Sequence, residues 1–315
     1  IFLLLSLGIA FSGYVSYNNF SEQFHEQAGD QLLTVANLKV NGLSNWRKER
    51  LSDSRFLHEN LVFAELVQDY FENQNNSIEE TKIMAWLDNF RSYTEYERVR
   101  LLDIEGQTHL SSPSGLSPIS SEVVVQIAEV MESKEVVLVD FYRRNSDENI
   151  RLALLIPILD PQTRSTVIGV VAITIDPNIY LFPFIKEWPA ASSTAETLLV
   201  RRDGDDVLFL NELRFQANTS MSLRIPLDQT EVLAVKAVQE QAGVVEGVDY
   251  REHPVIGALK AIPDSPWFLV ARIDIAEVET PLRARLWQTL LMMGMAIAVA
   301  GAGLITVWRQ QRIQY

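Results

Sequence analysis

Two uncharged apolar segments bracket the chain, and every one of its acidic residues lies between them. The first is Ile1–Tyr17; the second, Thr289–Val307, reads TLLMMGMAIAVAGAGLITV. A helix that crosses the hydrocarbon core of a bilayer needs about 20 mostly apolar residues, and the second segment supplies nearly that many. Trp287 and Trp308 close its two ends, about 31 Å apart at a helical rise of ~1.5 Å per residue, where interfacial tryptophans belong. The alternative is a buried core helix. Two spans with about 270 residues between them form a hairpin whose middle sits on one side of the membrane. That middle must fold by itself.

Of 27 basic residues, Arg309 and Arg312 lie beyond the second span, so 25 face all 41 acidic residues in the middle. A surface so acidic repels nucleic acid and anionic lipid and keeps an ectodomain soluble. Nucleic acid is therefore not expected as a partner. Arg309 and Arg312 place the far side of the span in the cytoplasm by the positive-inside rule, although Arg283 and Arg285 weaken that vote. No basic flank precedes Ile1, so the first span is expected to be truncated; a cleaved signal peptide is its rival reading. The chain has no cysteine, which excludes disulfides, thiolate metal sites and thiol nucleophiles. With 47% apolar residues it can rely on its core instead.

From Ser21 to about Phe71 there is no proline, and Leu32, Ala36, Val40, Leu43 and Trp46 recur every three or four residues, with Leu57 and Leu61 resuming the stripe. This predicts one long amphipathic helix over 21–71, continuous with the first span. Asn73–Ser77 is a polar break, and a second helix follows over Ile78–Tyr93. The period then changes. Val99–Leu102 and Thr108–Leu110 flank the turn Glu105–Gly106 as a hairpin, Ser111–Ser120 is a loop, and Glu122–Met131 a short helix. Val136–Tyr142, Ile150–Pro157 and Val167–Asp176 are β-branched strands between turn-formers.

The pattern repeats. At an offset of 98 residues, Leu101 falls on Leu199, Gly106 on Gly204 and Leu110 on Leu208, and the same offset sets VVAITID (Val170–Asp176) on FLVARID (Phe268–Asp274). Between these anchors, VDFYRR at Val139–Arg144 resembles VDYRE at Val248–Glu252. Two anchors with one offset point to duplication; chance similarity of amphipathic strands is the alternative. The predicted fold is α/β (α+β): two tandem antiparallel-sheet modules, 72–187 and 188–284, joined at Trp188–Ser193. The second span follows over 287–308, and 309–315 begins the cytoplasmic region.

The stretches WPAASSTAETLLVRRDGDDVLFLNELRF (Trp188–Phe215) and VVEGVDYREHPVIGALKAIPDSPWFLVARIDIAEV (Val244–Val278) resemble the double Cache family of PAS-like extracytoplasmic sensor domains. The resemblance covers Ser21 to about Ala284. It implies a membrane-distal module holding a small-molecule ligand between its sheet and the helices and loop that cover one face. It also implies a homodimeric bacterial inner-membrane receptor with its ectodomain in the periplasm or extracellular space. The stretches are similar to sensor regions of histidine kinases or diguanylate cyclases, and a kinase output is expected, with cyclase and chemoreceptor as alternatives. In amino-acid-binding members an Arg–x–Trp–Tyr segment holds the carboxylate, and two aspartates, one of them two residues after a tyrosine, help hold the ammonium group. Here Arg91–Ser92–Tyr93 is the nearest relic of that segment, Tyr142 is followed by Arg144 where one aspartate would fall, and Thr174 takes the place of the other.

On an extended strand Asp140, Tyr142 and Arg144 share one face, and arginine presents a planar fork of donors to carboxylate or phosphate. The expected ligand is a small anion, a carboxylate for example. It would be met by Tyr142 and Arg144, with Arg91, Tyr93, Asp140 and Thr174 nearby. The alternative is an Asp–Arg pair at a solvated strand end. No cofactor is expected. His25, His58, His109 and His253 are scattered without metal-ligand spacing, and no G-x-S-x-G, P-loop or G-x-G-x-x-G occurs. An enzyme is not expected in this segment; a tethered module that binds a periplasmic partner protein is the second class. Gly294, Ala298 and Ala302 form a small-residue row that would let the second span pack closely on a neighbouring helix.

Overall fold

No proline precedes Pro113, and the chain opens as one uninterrupted helix, α1 (Phe2–His58). The computed structural model describes residues 2–73, 77–94, 96–115, 118–144 and 147–313. Outside the described residues lie Ile1 of the expected first span and positions 74–76 of the polar break. Positions 116–117 of the predicted loop, the end of the chain at 314–315, and the side chains of Arg283, Arg285, Trp308 and Arg312 lie outside them too.

The predicted apolar stripe is the buried face of α1: Leu32, Ala36, Val40, Leu43, Trp46 and Leu57 all enter the core. The helix does not run on to residue 71. It ends at His58, and a separate helix α2 (Leu61–Glu72) starts from Asn60, whose extended backbone and side-chain oxygen cap the Phe63 amide at 3.0 Å. A polar capping residue at that point outcompetes continuation, and Leu61 is left 48% exposed instead of extending the stripe. Helix α3 (Ser77–Thr94) packs on α2 through the Phe63–Trp86 pair, with ring centroids 4.3 Å apart.

Strands β1 (Arg98–Leu102), β2 (Thr108–Ser112), β3 (Val137–Arg143), β4 (Ile150–Leu159) and β5 (Val167–Ile175) form an antiparallel sheet in the order β2-β1-β5-β4-β3. Helix α4 (Ser121–Ser133) lies between β2 and β3 in the chain. The short helix α5 (Leu181–Lys186) leads into the second sheet, which comprises β6 (Glu196–Asp203), β7 (Asp206–Phe209), β8 (Arg224–Pro226), β9 (Gly243–Val248), β10 (Pro254–Ala261) and β11 (Trp267–Asp274). Its order, β8-β7-β6-β11-β10-β9, repeats that of the first sheet with one extra edge strand. Helix α6 (Leu233–Val238) falls between β8 and β9 in sequence.

The 98-residue offset holds in the hydrogen-bond register: Val99 pairs with Ile173 in the distal sheet, and Thr197 pairs with Ala271 in the proximal one. Gly106 and Gly204, again 98 apart, turn the two equivalent hairpins at φ of +82° and +65°, a conformation that suits glycine. Two α/β modules with one plan therefore stand in tandem.

Each sheet buries both faces. One face of each joins a shared core against α1, with Val99, Leu101, Ile173, Leu199, Leu269 and Ala271 among its members. The other face of the distal sheet carries Leu102, Val170 and Ala172 against Val123, Ile127 and Val130 of α4. That of the proximal sheet carries Leu198, Val200 and Val270 against Leu233, Ala234 and Ala237 of α6. The modules thus share α1 as a spine while each keeps a private pocket face.

From Asp274 the chain passes without a linker into α7 (Ile275–Ile313). Among the described residues, one helix is long and apolar enough to cross a membrane: Ile275–Gly303, of mean hydropathy 1.5. The opening of α1 runs antiparallel beside it, Gly13 lying against Met293.

Candidate ligand site

In the distal module, the sheet face covered by α4 bears a narrow, closed-down cleft whose free space, about 10 Å³, is about that of one water molecule. Arg100 on β1, Tyr142 on β3 and Thr174 on β5 line its floor. Arg144 stands just beyond β3, and Pro118, Ile119, Ser120 and Val123 come from the loop and α4 above. Arg100 Nη1 donates to Thr174 Oγ1 at 3.3 Å. Ser120 Oγ is buried and has no hydrogen-bond partner among the described residues. Arg98, two residues before Arg100 and so on the same strand face, donates to Ser111 Oγ at 2.9 Å and to the Pro113 carbonyl at 2.8 Å, tying the covering loop to β1.

The charge of the cleft is mainly positive. Arg144 is held by Glu97 at 2.7 Å and by Asp147, and Arg151 by Glu97 and, at 3.5 Å, by Asp176. Among the described residues, Arg98 and Arg100 bring the guanidinium groups here to four, beside three carboxylates. Burial, and then repulsion from Arg98, pull the Arg100 guanidinium down to about 10, far enough above neutrality to leave it cationic. Burial pushes the Tyr142 hydroxyl up to about 12, against the pull of Arg100 and Arg144, so it remains a hydrogen-bond donor. Hydrogen bonding to Asp147, outweighing desolvation, raises Arg144 still further. A buried cation, a phenol O–H and two hydroxyls gathered on one cleft can bind an anionic group, since charge pairing strengthens as the local dielectric falls.

Of the residues picked out in sequence, Tyr142, Arg144 and Thr174 meet in this cleft. Arg91 does not line it; its Nε donates to Ser112 Oγ at 2.9 Å and braces α3 on β2. Tyr93 is 89% exposed at the end of α3. Asp140 faces away. The β3–β4 register shifts between Val139 and Tyr142, a bulge that sets Val139 and Tyr142 on the cleft face and breaks the expected alternation. Phe141 enters the shared core, its ring 5.0 Å from Trp267. Asp140 accepts from Trp267 Nε1 at 2.7 Å and pairs with Arg201, so it binds the two modules together rather than a ligand. Sequence reading missed Arg100 and Ser120. The signal for Arg100 was available: Arg98 and Arg100 alternate with Val99 and Leu101, and the repeat sets Leu198 at the place of Arg100. A charge stands where the duplicate has a core leucine.

Beyond the cleft, two separate sets of contacts tie the modules to each other and to α7. Arg143 Nη2 donates to the Ser220 carbonyl at 2.8 Å and to Ser222 Oγ at 2.9 Å in the proximal module. Near the join, the Glu277 carboxylate of α7 accepts from Ser192 Oγ at 2.8 Å, Ser193 Oγ at 2.9 Å and the Thr194 amide at 2.8 Å. The first turn of the candidate membrane helix is therefore fastened to the segment between the modules.

The fold and the placement of this cleft define a tandem sensor-type domain, and comparison with known proteins agrees. Residues 20–282 match the family profile of the Cache domain, dCache_1. The chain belongs to the Cache-domain family. Among curated proteins no sequence relative matches. Solved structures of similar fold include the ligand-binding domain of the Pseudomonas aeruginosa amino-acid chemoreceptor PctB with L-Arg, at 13% identity and a TM-score of 0.54; the match covers 81% of this chain and 98% of that one. The domain of the Campylobacter jejuni chemoreceptor Tlp3 with L-valine matches at 11% identity and a TM-score of 0.56, over 82% and 97% of the two chains. That of the Pseudomonas fluorescens chemoreceptor CtaA with L-leucine matches at 13% and 0.53, over 82% and 100%. These likenesses are of fold.

Proposed function

We propose that the chain is the extracytoplasmic small-molecule sensor region of a transmembrane receptor, and that its distal cleft binds a ligand through an anionic group. The observation that carries this reading is the convergence of Arg100, Tyr142, Arg144 and Thr174 on one cleft beneath the α4 cover. A module that recognised only a partner protein would leave that cleft apolar; polar groups gathered there support a small molecule instead. The ligands of the solved neighbours are amino acids. In this chain the carboxylates beside the cleft, Glu97, Asp147 and Asp176, are engaged by Arg144 and Arg151. A carboxylate without an ammonium group therefore fits better.

Ligand in the cleft would bear on β3, whose other contacts, through Asp140 and Arg143, reach the proximal sheet, and from there on the join held by Glu277. Such a ligand shifts the receptor only by its difference in affinity for two arrangements of these parts. We read α7 as the membrane helix that carries the shift inward. A chemoreceptor output fits the solved neighbours best, while a histidine kinase is the output favoured by the sequence resemblance.

Isothermal titration of the isolated domain, residues 20–282, against a panel of carboxylates and amino acids tests the ligand class. Heat from simple carboxylates is the expected result; binding of amino acids alone would remove the anion reading and keep the sensor.

A further inference from the structure

The proximal module has a counterpart of the distal cleft, and its contents are different. At the 98-residue offset Arg98 falls on Glu196, Arg100 on Leu198, Thr174 on Arg272 and Asp176 on Asp274. The pairings match too, Arg98 with Thr174 and Glu196 with Arg272. Leu198 and Val270 lie on the sheet face toward α6, as Leu102 and Ala172 lie on the face toward α4, so Arg272 projects on the side where the distal module has its cleft.

There, Arg272 is wholly buried. Its guanidinium meets Asp274 at 2.7 Å, Asp249 at 3.1 Å and Glu196, and donates to the Thr194 carbonyl at 3.2 Å. The rings of Phe215 and Tyr250 lie 5.4 and 5.5 Å from its central carbon. Tyr250 also donates to Glu196 at 3.0 Å. Arg251 closes the rim, 2.6 Å from both Asp249 and Asp274 and stacked 4.3 Å over Phe215. Arg272 Nε finds no hydrogen-bond partner among the described residues, so one donor of the fork is left unsatisfied in a place that excludes water. Acids on three strands or their ends, an aromatic wall and a single enclosed cation are the parts of a ligand pocket rather than of an ordinary surface ion pair.

We infer that the proximal module retains a pocket equivalent to the distal cleft but of opposite charge, and that the chain fills it with its own ligand, the guanidinium of Arg272. The class of molecule this seat accepts once emptied is a small guanidinium or primary ammonium cation. Covalent attachment gives Arg272 an effective concentration that a free cation does not match, so the intact module takes no external ligand. It stands permanently in the occupied state and passes on what the distal module reports. The inference does not depend on what the distal cleft binds.

The test uses the full chain in detergent micelles, with methylguanidinium chloride as the probe and sodium chloride at equal ionic strength as the control. Arg272→Ala is expected to lower Tm by on the order of 10 °C, because three acids lose their buried partner. Millimolar methylguanidinium is expected to restore at least about half of that loss at one site per chain, as for a ligand that binds only the folded state. The same probe is expected to leave the Tm of the unsubstituted chain unchanged. Restoration no greater than that given by sodium chloride, or an equal rise in the unsubstituted chain, would overturn the inference. If Arg272→Ala yields no folded chain, it is refolded with methylguanidinium and, separately, with sodium chloride at equal ionic strength. A higher yield of folded chain with methylguanidinium supports the inference, and an equal yield overturns it.

Discussion

Arg100 carries the most chemistry per atom in the distal module. It is buried beside Tyr142 and Thr174, on the strand face it shares with Arg98 and Leu102. Hydrogen bonds to charged groups contribute about 1.5–3 kcal/mol, so Arg100→Gln is expected to weaken anion binding by roughly 10- to 100-fold in a titration, with the fold kept. Since Arg100 and Tyr142 hold their protons up to about 10 and about 12, and no histidine lines the cleft among the described residues, affinity is expected to be flat between about pH 6 and pH 8. A fall of more than a few-fold across that window would contradict the assignment. Asp140 behaves otherwise. Its carboxylate takes the Trp267 indole N–H and pairs with Arg201, so Asp140→Ala leaves a buried donor unmet and is expected to cost about 1–3 kcal/mol of stability. Trp267 fluorescence should shift with it, while ligand affinity stays within about twofold. A large loss of affinity would return Asp140 to the ligand site.

At the scale of elements, local rules were legible where one face of an element is buried. The stripe Leu32–Trp46, the hairpins at Gly106 and Gly204 and the β-branched strands follow from periodicity and turn chemistry alone. Two features were not legible, and both arise where a local competitor defeats the periodic pattern. Asn60 caps a new helix where Leu57 and Leu61 continue the apolar spacing, and the bulge at Asp140–Phe141 inserts one residue that the alternation rule does not foresee, because Phe141 must reach Trp267 in the shared core. Removing the cap by Asn60→Ala is expected to cost about 1 kcal/mol, read as a lower Tm. Close approach of α1 to α5 is equally specific. A Cβ on Gly42 would fall 2.3 Å from the Phe184 ring, so Gly42→Ala is expected to destabilise by about 1–3 kcal/mol through overpacking.

For the molecule as a whole, the 98-residue repeat was the most informative sequence signal, since it held as hydrogen-bond register and exposed both pockets by comparison. The charge inversion between the modules was visible in the aligned residues, Arg98 against Glu196 and Thr174 against Arg272, but only the structure shows that the arginine sits inside a seat built by Asp249 and Asp274 as well. The fastening of α7 was not legible, because Glu277 meets the Ser192–Thr194 segment across more than 80 residues of chain. Glu277→Gln removes the charge from that clamp. Amide exchange at Ser193–Ala195 is expected to quicken roughly tenfold, as local opening loses about 1.4 kcal/mol of protection; unchanged exchange would mean the clamp is incidental.

The central claim, that the distal cleft receives the anionic group of a small ligand, is tested most directly by one paired titration. A carboxylate that binds the unsubstituted domain is titrated into Arg100→Gln under the same conditions. The account expects a single site in the first protein and an affinity at least about 10-fold weaker in the second. Equal affinity in the two would contradict it.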